Sequence, residues 1–331
     1  MKTTLFVTHE DLDGIAPIIL NKFFELDQQY FTITNNYGRD DELKHIIEYD
    51  NIIYVDFTPS EQAQEMIGNF NKKCLIIDHH ESQQVDMEMF QSKFFTTDIT
   101  YIYNKAKSGT SLYYDYLKKQ GYKGNVCLDQ FVELVETYDL FKRESPNWEK
   151  ADHLNRLLYA TGNTKATNKQ DYFRFFINSL LYKCQHFTSI VFSKLEQDKI
   201  EGSIKTENQL YNTIMDPKNK LFKLRKDNLG NYFVVIKCCK KISAIARKIL
   251  DNYKKVEYVV ILNYFDPENP RISVRSRTIN LINTFPELKG HPNACGYQFE
   301  QNDDTKAICS NLWNGQKYQF VVSTTEKGEE K

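Results

Sequence analysis

Three short apolar runs near the start of the chain each end in acids or imidazoles. The first is Thr4-Leu5-Phe6-Val7-Thr8-His9, which continues as Glu10-Asp11-Leu12-Asp13-Gly14. The second is Ile52-Ile53-Tyr54-Val55-Asp56, and the third is Cys74-Leu75-Ile76-Ile77-Asp78-His79-His80. A lone His9 or a lone Asp56 is more often a satisfied core histidine or a turn cap. The conjunction is different, because three runs release His9, Asp11, Asp13, Asp56, Asp78, His79 and His80, with Asp139 further along the chain. Carboxylates mixed with imidazole suit Mn²⁺, Mg²⁺, Fe²⁺ or Co²⁺ better than ions that favour thiolates. Five converging acids repel one another, and two divalent cations offset that charge. Such a pair, ~3.5–4 Å apart, activates a water and stabilises an in-line displacement at phosphorus. The chemistry expected is two-metal phosphoester hydrolysis.

Positioning these groups requires strands that deliver them to one edge. Four apolar residues without alternation, as in Cys74–Ile77, read as a strand covered on both faces of a parallel sheet. In open α/β sheets, ligands bind beyond the carboxyl ends of the strands. Helical stretches separate the strands: one opens at Asp13-Gly14 with Pro17 near its first turn, and one follows Ser60 as its cap. Further strands are expected at 30–34, 232–236, 257–264 and 271–276, with helices at 40–49, 111–121, 126–137 and 240–255. The fold class expected is α/β: a parallel-sheet N-terminal domain, a helical connector, and a smaller α/β C-terminal domain, with a cleft between the domains. The boundaries read as 1–150, 151–215 and 216–323, with a polar, disordered tail at 324–331.

Composition narrows the classes. The 331 residues suffice for two cores, and 41% hydrophobic with 26% charged residues is ordinary for a globular protein. A formal net charge of −1 argues against a protein that coats nucleic acid over its whole surface. No apolar run is long enough to cross a bilayer, and the N-terminus enters the first strand without a signal pattern. Seven cysteines without a Cys-x-x-Cys pair read as reduced thiols, so a cytoplasmic location is expected.

The motif set resembles the DHH phosphoesterase family. The residues that carry the resemblance are His9-Glu10-Asp11-Leu12-Asp13-Gly14, Val55-Asp56-Phe57, Asp78-His79-His80 and Asp139 in Glu136-Thr137-Tyr138-Asp139-Leu140. Downstream, Arg271-Ile272-Ser273-Val274-Arg275-Ser276 and Gly290-His291-Pro292-Asn293-Ala294-Cys295-Gly296 resemble signatures of the C-terminal domain found in the RecJ and nanoRNA-degrading oligoribonuclease (NrnA-like) branch. The resemblance implies two Mn²⁺ ions, with Mg²⁺ or Co²⁺ as substitutes. His9 and Asp11 would hold the first, Asp13, His79 and Asp139 the second, and Asp56 would bridge them. Asp78 would orient a histidine and His80 would face the substrate phosphate; Arg275, Ser276, Gly290, His291 and Asn293 would bind substrate.

The function implied is a phosphodiesterase or exonuclease that converts short oligonucleotides or single-stranded nucleic acid to nucleoside 5′-monophosphates. Alternatives are a phosphoadenosine-phosphate phosphatase, a cyclic-dinucleotide phosphodiesterase, and a catalytically inert nucleic-acid-binding module. RecJ-type exonucleases carry added domains that this length leaves no room for, which favours short substrates. Lys240, Lys241, Arg247, Lys248, Lys254 and Lys255 fit either a nucleic-acid path or the wet face of a helix. No membrane partner is expected, and a homodimer stays open.

Overall fold

The computed structural model describes residues 4–298 apart from 27–28, 34–38, 82–83, 163, 167, 228, 264–270, 286–287 and 292. The expected polar tail at 324–331 lies outside the described residues. By internal contacts the chain divides into two units, Met1–Ser203 and Ile204–Lys331.

The first unit begins with alternating strands and helices: β1 Thr4–His9, α1 Leu12–Phe23, β2 Gln29–Ile33, α2 Arg39–Ile46, β3 Asn51–Val55, α3 Glu61–Asn69, β4 Lys73–Asp78, α4 Gln84–Lys93 and β5 Ile99–Tyr103. Helices α5 Gly109–Lys119, α6 Val126–Asp139, α7 Trp148–Ala160 and α8 Lys169–His186 follow, and α9 Lys194–Met215 runs across the division between the units. Among the described residues the strands form one sheet in the order β2-β1-β3-β4-β5, with every pairing parallel. The order runs outward from β1, so the carboxyl ends of β1, β3 and β4 lie side by side. On one face Leu5, Val7, Ile52, Tyr54, Cys74 and Ile76 pack with Ala63 and Ile67 of α3. Residues 74–78 of β4 are all buried, as the unbroken apolar run predicts. At ~25 cal/mol per Å², such runs supply most of the drive to form this sheet.

Helix α1 starts one residue earlier than the Asp13-Gly14 opening suggests, so Pro17 lies beyond its first turn. Proline has no N–H to donate to the Asp13 carbonyl four residues back. Here the Thr110 hydroxyl donates to that carbonyl at 2.7 Å and satisfies it from outside the helix. Ser60 caps α3 as expected, accepting from the Ala63 N–H at 3.1 Å. Helices α7 and α8 pack against α6 and α1 within the first unit.

The second unit contains β6 Phe222–Lys226, β7 Tyr232–Lys237, α10 Ile242–Asn252, β8 Val256–Asn263, β9 Arg271–Ser276, α11 Leu281–Thr284, β10 Lys289–His291 and β11 Ala294–Gln298. Its sheet has the order β10-β11-β9-β8-β7-β6, antiparallel except where α10 carries the chain from β7 to a parallel β8. Ile245, Ala246, Ile249 and Leu250 bury one face of α10 against Val234, Ile236, Val259 and Ile261, which leaves Arg247 and Lys248, its two basic residues, half-buried off that face. Among the described residues, β5, β6, β10 and β11 were not expected from the sequence. β6 falls in a charge run taken as a boundary, and the Gly290-His291 turn is flanked by a short hairpin, β10–β11.

Candidate metal centre

Each candidate ligand reaches the site by a local device. Asp11 caps α1, with Oδ1 accepting from the Gly14 N–H at 3.0 Å, and its Oδ2 lies 2.8 Å from His9 Nδ1. Gly14 is required here, because a Cβ at that position would fall 2.1 Å from the His9 carbonyl oxygen. Asp56 sits just past β3 with φ +59°, a left-handed conformation that Asp tolerates better than most residues. That turn directs its carboxylate over the end of β4. Asp13 is held by the first N–H groups of α5: Gly109 N donates at 2.6 Å and Thr110 N at 3.0 Å. The positive end of the α5 dipole thus faces a carboxylate. A Cβ on Gly109 would lie 2.7 Å from Asp56 Cβ, so only glycine lets α5 begin this close to β3.

The groups converge. His79 Nε2 lies 3.1 Å from Asp56 Oδ1, 3.5 Å from Asp139 Oδ2 and 3.7 Å from Asp13 Oδ2. His80 Nδ1 lies 2.7 Å from Asp78 Oδ1 and 3.9 Å from Asp56 Oδ1. Asp78 Oδ1 also accepts the backbone N–H groups of His79 at 2.7 Å and His80 at 3.2 Å, which locks the turn that presents both rings. Ligand atoms within 4.8 Å of one another form three overlapping sets: His9, Asp11 and Asp56; Asp13, His79 and Asp139; and Asp56, Asp78, His79 and His80. Asp56 and His79 each belong to two of them.

Electrostatics point the same way. Asp56 is pushed well above the usual carboxylate range, first by burial and then by the charges of Asp13, Asp11, Asp139 and Asp78. Asp139 is pushed up by burial and by Asp13, Asp11 and Asp78. Burial also raises Asp11 and Asp78, but His9 in one case and His80 with His79 in the other outweigh it and bring both below the ordinary range. Burial and the neighbouring His80 lower His79. His80 is raised, because Asp78 overcomes the burial that would lower it.

Asp139 Oδ2 and Asp78 Oδ2 are buried oxygens that accept no hydrogen bond among the described residues. Such atoms are costly unless a cation or a donor meets them. A hard donor set of oxygens and imidazole nitrogens, with a surplus of buried carboxylates and an orphaned oxygen on Asp139, fits divalent cations.

The substrate-binding candidates lie in the second unit. The Arg275 guanidinium donates to Ser243 Oγ at 3.1 and 3.3 Å, to the Val274 carbonyl at 2.9 Å and to the Cys295 carbonyl at 3.3 Å. Ser276 is buried, its Oγ accepting from the Ile279 N–H at 2.8 Å while its own N–H donates to the Asn293 carbonyl at 2.9 Å. Gly290 has φ +131°, and a Cβ there would lie 2.7 Å from the Ala294 carbonyl oxygen. His291 pairs with Ala294 across the β10–β11 hairpin. Ser243 was not singled out from the sequence, since a serine in the first turn of a helix carries no signal of its own. Gly109 and Thr110 were likewise missed; their only trace is the Ser-Gly-Thr opening of α5.

The first unit is an α/β fold whose parallel sheet gathers a His/Asp cluster at adjacent strand ends. No family model matches the sequence. The chain is 26% identical over 166 residues to oligoribonuclease NrnB of Bacillus subtilis (strain 168), an alignment that covers 46% of this chain and 40% of that protein. The chain therefore spans well under two thirds of this relative's length. The fold resembles RecJ of Thermus thermophilus in complex with Mn²⁺, with a TM-score of 0.51 and 14% identity over 96% of this chain and 52% of that one. It also resembles the DHH domain of a member of a ribosomal protein family, with a TM-score of 0.51 and 14% identity over 96% of this chain and 88% of the other. By motif set and fold the chain is similar to DHH phosphoesterases, and over 166 residues it is similar to the Bacillus relative.

Proposed function

We propose that this protein is a phosphodiesterase that uses two divalent cations, Mn²⁺ foremost, to cut short oligonucleotides to nucleoside 5′-monophosphates. The observation that carries this reading is the overlap of three ligand sets through Asp56 and His79. A carboxylate shared between neighbouring ligand sets is what a bridged pair of ions uses. His9 and Asp11 would hold one ion, Asp13, His79 and Asp139 the other, with Asp56 between them. When bound, such ions supply Lewis acidity at the phosphoryl oxygens and lower the pKa of the attacking water.

The chain's own residues do the rest. Asp78 accepts from His80 Nδ1 at 2.7 Å and favours the imidazolium, which leaves Nε2 to donate to a phosphate oxygen. Asp13, held by the N-terminus of α5, stays fixed while charge moves at phosphorus. In the second unit, Arg275, with Ser276, Gly290, His291 and Asn293 shaping the backbone around it, is assigned to substrate binding. The bidentate fork of Arg275 suits a phosphate. The activity for which the Bacillus relative is named, that of an oligoribonuclease, supports phosphodiester substrates over small bisphosphates.

The test is turnover of end-labelled RNA and DNA of two to ten nucleotides, beside adenosine 3′,5′-bisphosphate, with Mn²⁺ and with EDTA. Stepwise loss of 5′-mononucleotides that EDTA abolishes is the expected result. Hydrolysis of the bisphosphate alone would assign a phosphatase instead, and no hydrolysis of any substrate would overturn the catalytic reading.

A further inference from the structure

Helix α8 presents an aromatic face that neither the core nor the metal centre uses. Tyr172, Phe175, Ser179, Tyr182 and His186 recur at i, i+3, i+7, i+10 and i+14, one stripe of a 3.6-residue helix. Phe175 is 47% exposed and Tyr182 57%, whereas Phe173, Phe176, Ile177 and Leu180 on the opposite face are buried. The two exposed rings line a concave pocket of about 730 Å³, together with Lys165, Ala166, Asp171, Arg174, Asn178 and Ser179. No aliphatic side chain larger than alanine contributes to it. Protein interfaces also draw on aromatic rings and Arg, so a second copy of this chain is the competing occupant that the test must separate. Two rings, an amide, a hydroxyl and two cations, beside the single carboxylate of Asp171, match the faces, edges and phosphates of nucleotides.

The stripe starts beside the metal loop. Lys169, the first residue of α8, pairs with Glu10 Oε2 at 2.8 Å, and Glu10 stands between His9 and Asp11. Its ammonium also lies 5.8 Å from the centre of the Tyr172 ring. Tyr172, Phe175 and Tyr182 thus form a stripe of rings leading away from the Lys169–Glu10 pair. Thirteen residues separate Lys169 from Tyr182, about 20 Å of helix at 1.5 Å per residue. A stacked strand advances about 3.4 Å per nucleotide, so about six nucleotides cover that span.

We propose that the outer face of α8 is a single-strand subsite, in which bases stack on Phe175 and Tyr182 while Lys165 and Arg174 meet the backbone, so that strands of about six nucleotides or more are held better than dinucleotides. The inference rests on the phosphodiesterase reading for its substrate class and adds to it a length preference. The charge balance is modest, because Arg174 pairs with Asp171. Stacking rather than net charge therefore carries the affinity.

The experiment uses the full chain in EDTA and measures fluorescence anisotropy with labelled octaadenylate. The double variant Phe175→Ala/Tyr182→Ala changes two exposed side chains, and Phe175→Tyr/Tyr182→Phe keeps both rings. The alanine variant should lose about tenfold or more in affinity for octaadenylate, and the ring-keeping variant should stay within twofold of the parent. With Mn²⁺, the ratio of octanucleotide to dinucleotide turnover should fall at least tenfold in the alanine variant. Unchanged octaadenylate affinity in that variant overturns the subsite. So does a parent chain that self-associates through this face, seen as a sedimentation shift that the alanine variant abolishes while its affinity stays intact. Because binding is read without metal, absence of hydrolysis on every substrate would overturn the proposed reaction and leave the subsite to be judged on affinity alone.

Discussion

At the residue scale, the site separates side chains that can hold an ion from those that aim them. On the proposed reading Asp56 is the shared carboxylate and Asp78 the support, and the two should fail differently. Asp56→Asn is expected to reduce bound Mn²⁺ from two ions per chain to one or fewer and to abolish turnover, as read by titration calorimetry and product release. Asp78→Asn should retain both ions and lose about 10–100-fold in activity, because what it removes is the anchor of His80 and of the turn behind it. Loss of both ions in Asp78→Asn would move that residue into the cage itself. The clustering of His9, Asp11, Asp13, Asp56, Asp78, His79 and His80 was legible from residue types, because each follows an apolar run that reads as a strand. Asp139 was legible only by resemblance, since it ends a helix and nothing in Tyr138-Asp139-Leu140 distinguishes it from an ordinary capping acid.

At the element scale, the cage depends on α5 meeting β3 and α1 at close range, which the sequence signals only weakly. Gly109→Ala should push Asp56 aside and lower Mn²⁺ affinity at least tenfold, because the added Cβ would sit 2.7 Å from Asp56 Cβ. Unaltered affinity would show that the two elements can part without consequence. Thr110→Val removes the hydroxyl that satisfies the Asp13 carbonyl left open by Pro17, at a cost of about 1–3 kcal/mol in urea unfolding. No periodicity argument could place that bond, since it joins residues 97 apart.

Farther from the site, Glu196 at the start of α9 accepts from Lys183 Nζ of α8 at 2.5 Å, from Ser179 Oγ at 2.7 Å and from Ser193 N–H at 2.7 Å. Burial would raise Glu196, but Lys183 and the serines bring it below its ordinary range. Its contribution is therefore complete at neutral pH and is lost as pH falls below the ordinary glutamate value of about 4.3 and through the lowered one. Glu196→Gln should cost about 3–5 kcal/mol at pH 7, since it strands a buried ammonium. The gap to the parent should narrow at pH 3.5; a gap that stays constant would contradict the pairing.

At the scale of the whole molecule, the two units carry separate cores, so metal should stabilise one and not the other. Every candidate ligand lies before residue 204. Mn²⁺ at a hundredfold excess over its Kd is expected to add about 2.7 kcal/mol per site to the first unit alone. Calorimetry should then show one transition moving upward by several degrees and the other staying in place. Equal movement of both would mean that the units unfold as one. The sequence revealed the existence of two α/β layers through the restart of strand and helix patterns after Pro217. It did not reveal that α7 and α8 pack on the first unit, because their apolar spacing fits any neighbour equally well.

The most direct test is electron paramagnetic resonance of the full chain titrated with Mn²⁺. The account predicts that the second equivalent converts an isolated six-line signal into the broadened spectrum of two exchange-coupled ions, and that Asp56→Asn restores the six lines. Two equivalents that bind without coupling, or a chain that binds one ion or none, would contradict it.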